Sequence, residues 1–264
     1  MKNMENLVQL EKEWADIEAA PEGLPITYQQ LNEAIHFAIS KGFTKLNLKN
    51  VCGQRFIGAG LRGDYHIKIN GIPGNDLGIF MDGPTIEVSS NAEDQVGNTM
   101  NNGNIIVNGN CGDVVGLSAR GGHIYVKNNV GFRVGIHFKQ YKKYRPVLIV
   151  GGTARDYCGE YMSGGILVLL NRENKSRICG HSLGSGIHGG AIYLRADSID
   201  ENLLGLGAKQ IDFTDKDRKE IEPYISQFCS YFGIDEKEIW ETPFVKIGPE
   251  SKTPFKGAWC HSLI

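Results

Sequence analysis

One pentapeptide carries residue types that could do covalent chemistry. Gly180-His181-Ser182-Leu183-Gly184 fits G-x-S-x-G, the pattern in which a serine on a sharp strand-to-helix turn attacks a carbonyl carbon. Such a serine needs a base and an acid further along the chain, and His188 or His261 with Asp197 or Asp200 are the candidates for a serine esterase. The residues that follow, Ser185-Gly186-Ile187-His188-Gly189-Gly190-Ala191-Ile192-Tyr193-Leu194, read as glycine bends and a strand, with no helix to build an oxyanion hole. Metal chemistry has less to start from. Cys52, Cys111, Cys158, Cys179, Cys229 and Cys260 include no Cys-x-x-Cys pair, and the 7 histidines are scattered. Closely spaced pairs are how zinc and iron–sulfur sites announce themselves, so the four thiols of the glycine-rich middle, Cys52, Cys111, Cys158 and Cys179, read as small buried hydrophobes.

The bulk properties narrow the classes further. There are 28 Lys+Arg against 30 Asp+Glu, a formal net charge of −2. Coating nucleic acid needs a positive excess, so no nucleic-acid partner is expected. The longest apolar run, Ile166-Leu167-Val168-Leu169-Leu170, is far short of the ~20 residues that cross a bilayer. The N-terminus, Met1-Lys2-Asn3-Met4-Glu5-Asn6, lacks the apolar core of a secretion signal, and a cytoplasmic location is expected. Glycine is the outlier, at 34 of 264 residues, and 27 of them fall between residues 51 and 197. The middle of the chain needs glycine at regular places.

The places are periodic. Leu77-Gly78, Val96-Gly97, Val115-Gly116 and Val134-Gly135 recur every 19 residues, and Cys158-Gly159 and Leu183-Gly184 follow at 24 and 25. Three residues past each anchor glycine comes an apolar knob: Met81, Met100, Ala119, Phe138, Met162 and Ile187. Six past it come Pro84, Gly103, Gly122, Gly165 and Gly190. Alternating pairs follow: Ile86/Val88, Ile105/Val107, Ile124/Val126, Leu167/Leu169 and Ile192/Leu194. Asp94, Asp113 and Asp156 precede their anchors by three, with Asn75 and Phe132 as variants. Asn91, Asn110 and Asn129 recur one position before a column of small residues and could bond to one another as a polar ladder. One alternating strand and two glycine corners in 19 residues suit a coil of a parallel β-helix, with three short strands per coil stacked ~4.8 Å apart. Crossovers between parallel strands are right-handed, which fixes the expected hand. Counting a degenerate first copy at Gly58-Ala59-Gly60-Leu61-Arg62-Gly63, about seven coils are expected.

The flanks read as covers for the open ends of the stack. Residues 1–50 hold an apolar stripe at helical spacing (Leu7, Leu10, Trp14, Ile17) and a helix opened by the capping box Thr27-x-x-Gln30 and ended by Gly42. The alternating strand Phe43-Thr44-Lys45-Leu46-Asn47-Leu48 comes next. Residues 51–197 form the β-helix, and 198–264 carry a helix over 215–232 stopped by Gly233, then a proline-broken tail. The expected fold is mainly β, a right-handed parallel β-helix with α-helical N- and C-terminal caps. Two insertions leave the period, the basic aromatic His137–Arg145 run and Asn171–Ser176. Loops that leave a solenoid often carry contacts, so Lys139, Lys142, Lys143 and Arg145, with Trp14 and the tail around Trp259, are the candidate partner contacts.

Gly53-Gln54-Arg55, the run from Gly58 to Gly63, Gly74-Asn75-Asp76-Leu77-Gly78 and Met81-Asp82-Gly83-Pro84-Thr85-Ile86 now form a recognisable order. With Gly97-Asn98-Thr99-Met100, Gly112-Asp113-Val114-Val115-Gly116 and Gly159-Glu160-Tyr161-Met162-Ser163-Gly164-Gly165, they resemble the GXGXG domain of glutamate synthase. One of the subunits of formylmethanofuran dehydrogenase, a Mo/W oxidoreductase, is similar in repeat. The resemblance implies a non-catalytic structural subunit that braces a glutamine amidotransferase-like chain and an FMN-dependent glutamate synthase-like chain. FMN and the Fe–S cluster are then expected in those partners and no cofactor in this chain, while self-association stays open. The matching positions are structural, the glycines Gly78, Gly97, Gly116, Gly135, Gly159 and Gly184, so no catalytic residue carries over. Met1 is followed by Lys2, so the N-terminal cysteine nucleophile of the fused enzyme is not expected here.

Overall fold

A computed structural model describes residues 7–10 and 13–251 of the chain. Each period becomes one turn of a β-solenoid, and the alternating pairs become its strands. They are β1 (Val8–Leu10), β2 (Ala15–Glu18), β3 (Lys45–Cys52), β4 (His66–Ile72), β5 (Asp82–Val88), β6 (Asn102–Val107), β7 (His123–Val126), β8 (Val147–Val150), β9 (Ser163–Leu169) and β10 (Gly189–Arg195). From β2 to β10 every neighbour is parallel and consecutive in the chain. The register aligns Leu46, Ile67, Ile86, Ile105, Ile124, Leu148, Leu167 and Ile192 in one inward column, every member at most 1% exposed. Stacking like residue on like residue is what a fixed period with a two-residue pleat dictates.

The solenoid has about six turns, one fewer than expected, with few helices. The copy at Gly58 keeps the corner, with φ 73° at Gly58 and Gly78 N–H donating to the Ile57 carbonyl at 2.8 Å, while the ladder between β3 and β4 shifts register between Leu48 and Val51. Strand β8 is an addition to the expected pairs, because the His137–Arg145 insertion pushes it out of the 19-residue spacing. The other sides of each turn are bends rather than the two further strands expected. Their backbone alternates into the left-handed region, as at Gln95, Gly97 and Thr99 (φ 62°, 70° and 50°), which extended strands cannot do. Bonding between turns survives, since the amides of Gly97, Gly116 and Gly135 each donate to the carbonyl of the turn before at 2.8 Å.

The N-terminal flank departs from expectation. Leu7, Leu10, Trp14 and Ile17 do not make a helix: β1 pairs antiparallel with β2, and β2 joins β3 in parallel. In β2 the two-residue alternation wins, with Ala15 and Ile17 buried in the interior while Asp16 and Glu18 bond sideways to Asn47 and Asn50. Helix α1 (Tyr28–Ser40) carries the expected capping box and buries Leu31, Ala34, Ile35 and Ala38 in the interior cluster. At the other end, β11 (Ala208–Ile211) and β12 (Phe244–Pro249) run antiparallel, β12 against β10, and continue the sheet past the last turn.

Helix α2 (Asp215–Phe232) has the expected bounds and its left-handed Gly233 stop, but it does not lie over the end of the stack. Ile221, Ile225, Phe228 and Cys229 pack on the outward face of the sheet against Ile106, Tyr125, Ile149, Val168 and Tyr193. The short α3 (Glu236–Trp240) follows, and the buried Arg195 guanidinium donates to the Glu238 and Ile239 carbonyls at 2.9 and 2.8 Å. A cation there satisfies carbonyls that the helix end leaves without partners.

A polar network clamps α2 beside this apolar patch. Asp217 accepts from Tyr193 Oη at 3.1 Å and pairs with Lys246 at 2.5 Å. Glu220 pairs with Arg145 at 2.6 Å, and Arg145 also reaches Tyr224 Oη at 3.1 Å. Burial pushes the Asp217 carboxyl up, but Lys246, Thr214 and Tyr193 together hold it down at about 2. Burial, and then the Arg145 charge, hold the His123 imidazole below its ordinary value. Both groups bind protons more tightly in the unfolded chain, so stability falls with acid. The His123 contribution is present above pH 6.5 and erodes below it; that of Asp217 is present above 3.8 and is lost as the pH falls towards about 2. The Asp217 contribution amounts to about 2 kcal/mol, at ~1.4 kcal/mol per pH unit. Melting temperatures measured across this range should fall in two stages, and Asp217→Asn should abolish the lower one.

Candidate functional site

The corners decide what the G-x-S-x-G pentapeptide is built for. Asp113 N–H donates to Asp94 Oδ1 at 2.8 Å, Phe132 N–H to Asp113 Oδ1 at 2.9 Å, and His181 N–H to Asp156 Oδ1 at 2.8 Å. Side-chain oxygens thus bond the backbone of the next turn. A Cβ on Gly112, Gly131 or Gly180 would stand only 2.0, 2.0 or 1.9 Å from those oxygens. Gly180 therefore repeats Gly112 and Gly131, and Gly184 is an anchor glycine. Ser182 (φ 59°) occupies the left-handed corner held by Gln95, Val114, Arg133 and Tyr157 in other turns. The chain after it bends into β10 rather than into a helix. His188 Nδ1 pairs with the Gly186 carbonyl at 3.0 Å, and Asp200 caps a 3-10 turn. Among the described residues no hydrogen bond joins Ser182 to a histidine; His261 lies outside them.

The asparagine ladder forms as expected: the amides of Asn110, Asn129 and Thr153 donate to Asn91, Asn110 and Asn129 Oδ1 at 2.8, 3.1 and 3.0 Å. All six anchor glycines, Gly78, Gly97, Gly116, Gly135, Gly159 and Gly184, have φ between 65° and 74°. Cys111, Cys158, Cys179 and Cys229 are buried free thiols, whereas Cys52, expected inside, points outward at the end of β3 and is exposed; burial drives the Cys179 thiol up to about 12 and that of Cys229 to about 11, which leaves both as protonated packing groups. Among the described residues no group of His, Cys, Asp and Glu is arranged to hold a metal ion. No helix among them is long and apolar enough to cross a membrane.

The candidate contacts separate. Arg145 turns inward to α2, as described above. Tyr141 and Tyr144 exchange backbone hydrogen bonds of 3.0 Å, and Lys142 and Lys143 sit over their rings. Lys139 instead joins a groove of about 770 Å³ with Arg62, Phe80, Asp82, Asn101, Arg120, Tyr141 and Tyr144. The amides of Asp82, Asn101, Arg120 and Lys139 donate to the preceding turn at Leu61, Met81, Met100 and Ala119, so these side chains form one column down five turns. The sequence reading missed Arg62, Phe80 and Arg120; the two arginines share the 19–20-residue spacing of Lys139 and Phe80 stands two residues before Asp82, but no burial pattern marks them. Trp14 lies at the other end, with its ring 5.3 Å from His66 and Lys68 Nζ 4.8 Å from the ring centre. Trp259 is outside the described residues.

The comparisons agree with this geometry. A protein of Methanocaldococcus jannaschii named "Uncharacterized protein MJ1350" is 52% identical, over 86% of this chain and 91% of its own length. The GXGXG motif family matches residues 43–249, which takes in the strands from β3 to β12. With turns, corner glycines and ladders all in the matched region, the chain belongs to the GXGXG motif family, the glutamate synthase-related domain.

Proposed function

We propose that this chain is a structural, non-catalytic subunit of a glutamate synthase-like complex, working in the cytoplasm. It holds a glutamine amidotransferase-like chain and an FMN/Fe–S synthase-like chain at a fixed separation, and the cofactors belong to those partners. One observation carries the reading: the stack of consecutive parallel strands from β3 to β10, one per turn, lies inside the region the family matches. Strand and corner amides, the corner oxygens and the interior columns join one turn to the next, which makes a stiff prism. The prism winds right-handed, as parallel crossovers do, and α1 closes its N-terminal end.

Tagged purification from the native cell tests this. Co-purification of amidotransferase-like and flavin/iron–sulfur synthase-like chains, with glutamate made from glutamine and 2-oxoglutarate, is the expected result. Recovery of the chain alone, as a homo-oligomer, or with molybdenum or tungsten oxidoreductase subunits overturns it.

A further inference from the structure

In the groove under the Tyr141–Tyr144 turn, the charged side chains of Arg62, Asp82, Arg120 and Lys139 make no hydrogen bond or ion pair among the described residues. Its column places Arg62, Asp82, Asn101, Arg120 and Lys139 in successive turns, all exposed but Asn101. None of the ion pairs among the described residues involves Arg62, Arg120 or Lys139. Arg120 and Lys139 are neighbours in the stack, and like charges in register repel. Beside them stand exposed aromatic rings, Phe80 (53%), Tyr141 (66%) and Tyr144 (49%). Phe80 also holds a left-handed backbone (φ 58°), an unfavourable place for an aromatic residue. Three cations against one carboxylate, in no ion pair among the described residues and rimmed by exposed rings, make a surface complementary to an acid.

We infer that this groove takes an extended, acidic segment of a partner chain. At ~4.8 Å per turn, Arg62 and Lys139 are ~19 Å apart, the length of about six residues of extended chain. Arg62 and Arg120 are ~14 Å apart, so carboxylates about four residues apart reach both. Asp82 rejects an acid between them, and the rings take an apolar side chain. The groove is long and open, whereas small-molecule sites enclose most of their ligand, which favours a polypeptide segment. The inference rests on the scaffold reading only for the identity of the chain that supplies the segment.

The test places the photo-crosslinker p-benzoylphenylalanine at Tyr141 of the full chain in its native cell, with Leu24, exposed and outside the groove, as control. The expected result is one crosslinked peptide rich in Asp and Glu from the Tyr141 probe and none like it from the control. Its yield should fall at least tenfold in the Arg62→Glu, Arg120→Glu, Lys139→Glu triple variant and several-fold in the milder Arg120→Gln, Lys139→Gln pair. These side chains are exposed, so the melting temperature should not move. No adduct, an adduct with nucleic acid, lipid or a small molecule, a peptide without acidic excess, or a yield unchanged by either variant overturns the inference. Full recovery of synthase-like chains with the triple variant removes the groove and leaves the scaffold standing; an acidic segment from an unrelated chain does the reverse.

Discussion

Gly116→Val is expected to cost about 3–5 kcal/mol, enough to leave much of the chain unfolded at ordinary temperatures. Two independent penalties meet there. The backbone is left-handed (φ 74°), where a β-branched residue is strained. A Cβ would also lie 2.4 Å from Phe138 Cε1 and 2.9 Å from its Cζ, inside the fully buried column of apolar knobs. The penalties can be separated. Gly116→Ala keeps both in milder form, and adding Phe138→Leu relieves only the steric one. Denaturant midpoints should therefore rank wild type, then the double variant, then Gly116→Ala, then Gly116→Val. A midpoint for Gly116→Val equal to that of wild type would remove the coil geometry on which the fold rests.

The second large effect is Phe228→Ala. Phe228 is fully buried, stacks edge-on against Phe232 with ring centres 4.8 Å apart, and lies over Gly151 beside β8. Removing such a ring costs about 3–5 kcal/mol. Here the loss should be local, because the α2 patch and the solenoid interior are two separate apolar clusters. Amide hydrogen exchange should show α2 losing protection while the amides of β4–β7 keep theirs, and the uncovered Tyr125 and Tyr193 should become accessible. Equal loss of protection in both regions would mean that the helix is needed to hold the stack itself.

Both effects bear on how much of the molecule was legible in the residues. The turns were, because the apolar, glycine and amide columns repeat at one spacing and each has a bonding reason to do so. The N-terminal stripe misled because Leu7, Leu10, Trp14 and Ile17 fit a helical period while Ala15 and Ile17 also fit the two-residue alternation of a strand. The seat of α2 was written one position over from the inward columns. In the outward register Asn47, Lys68 and Glu87 give way to Ile106, Tyr125, Ile149, Val168 and Tyr193. That switch from polar to apolar marks where a cover begins. The groove left no comparable trace. Its charged residues come one per turn from exposed positions, so only the wound chain brings Arg62 and Tyr141 to the same groove.

A stack in register is also a measuring device. Its turns are interchangeable at the corners, and the three central periods are identical in length, at 19 residues. Excising one whole period would close the ladder on an equivalent turn and bring the two ends ~4.8 Å closer, with every column still aligned. Excising a fraction of a period would set glycine against side chain throughout. The distance between whatever sits at the two ends is therefore graduated in whole turns, so evolution or an engineer can change it by counting but not by sliding.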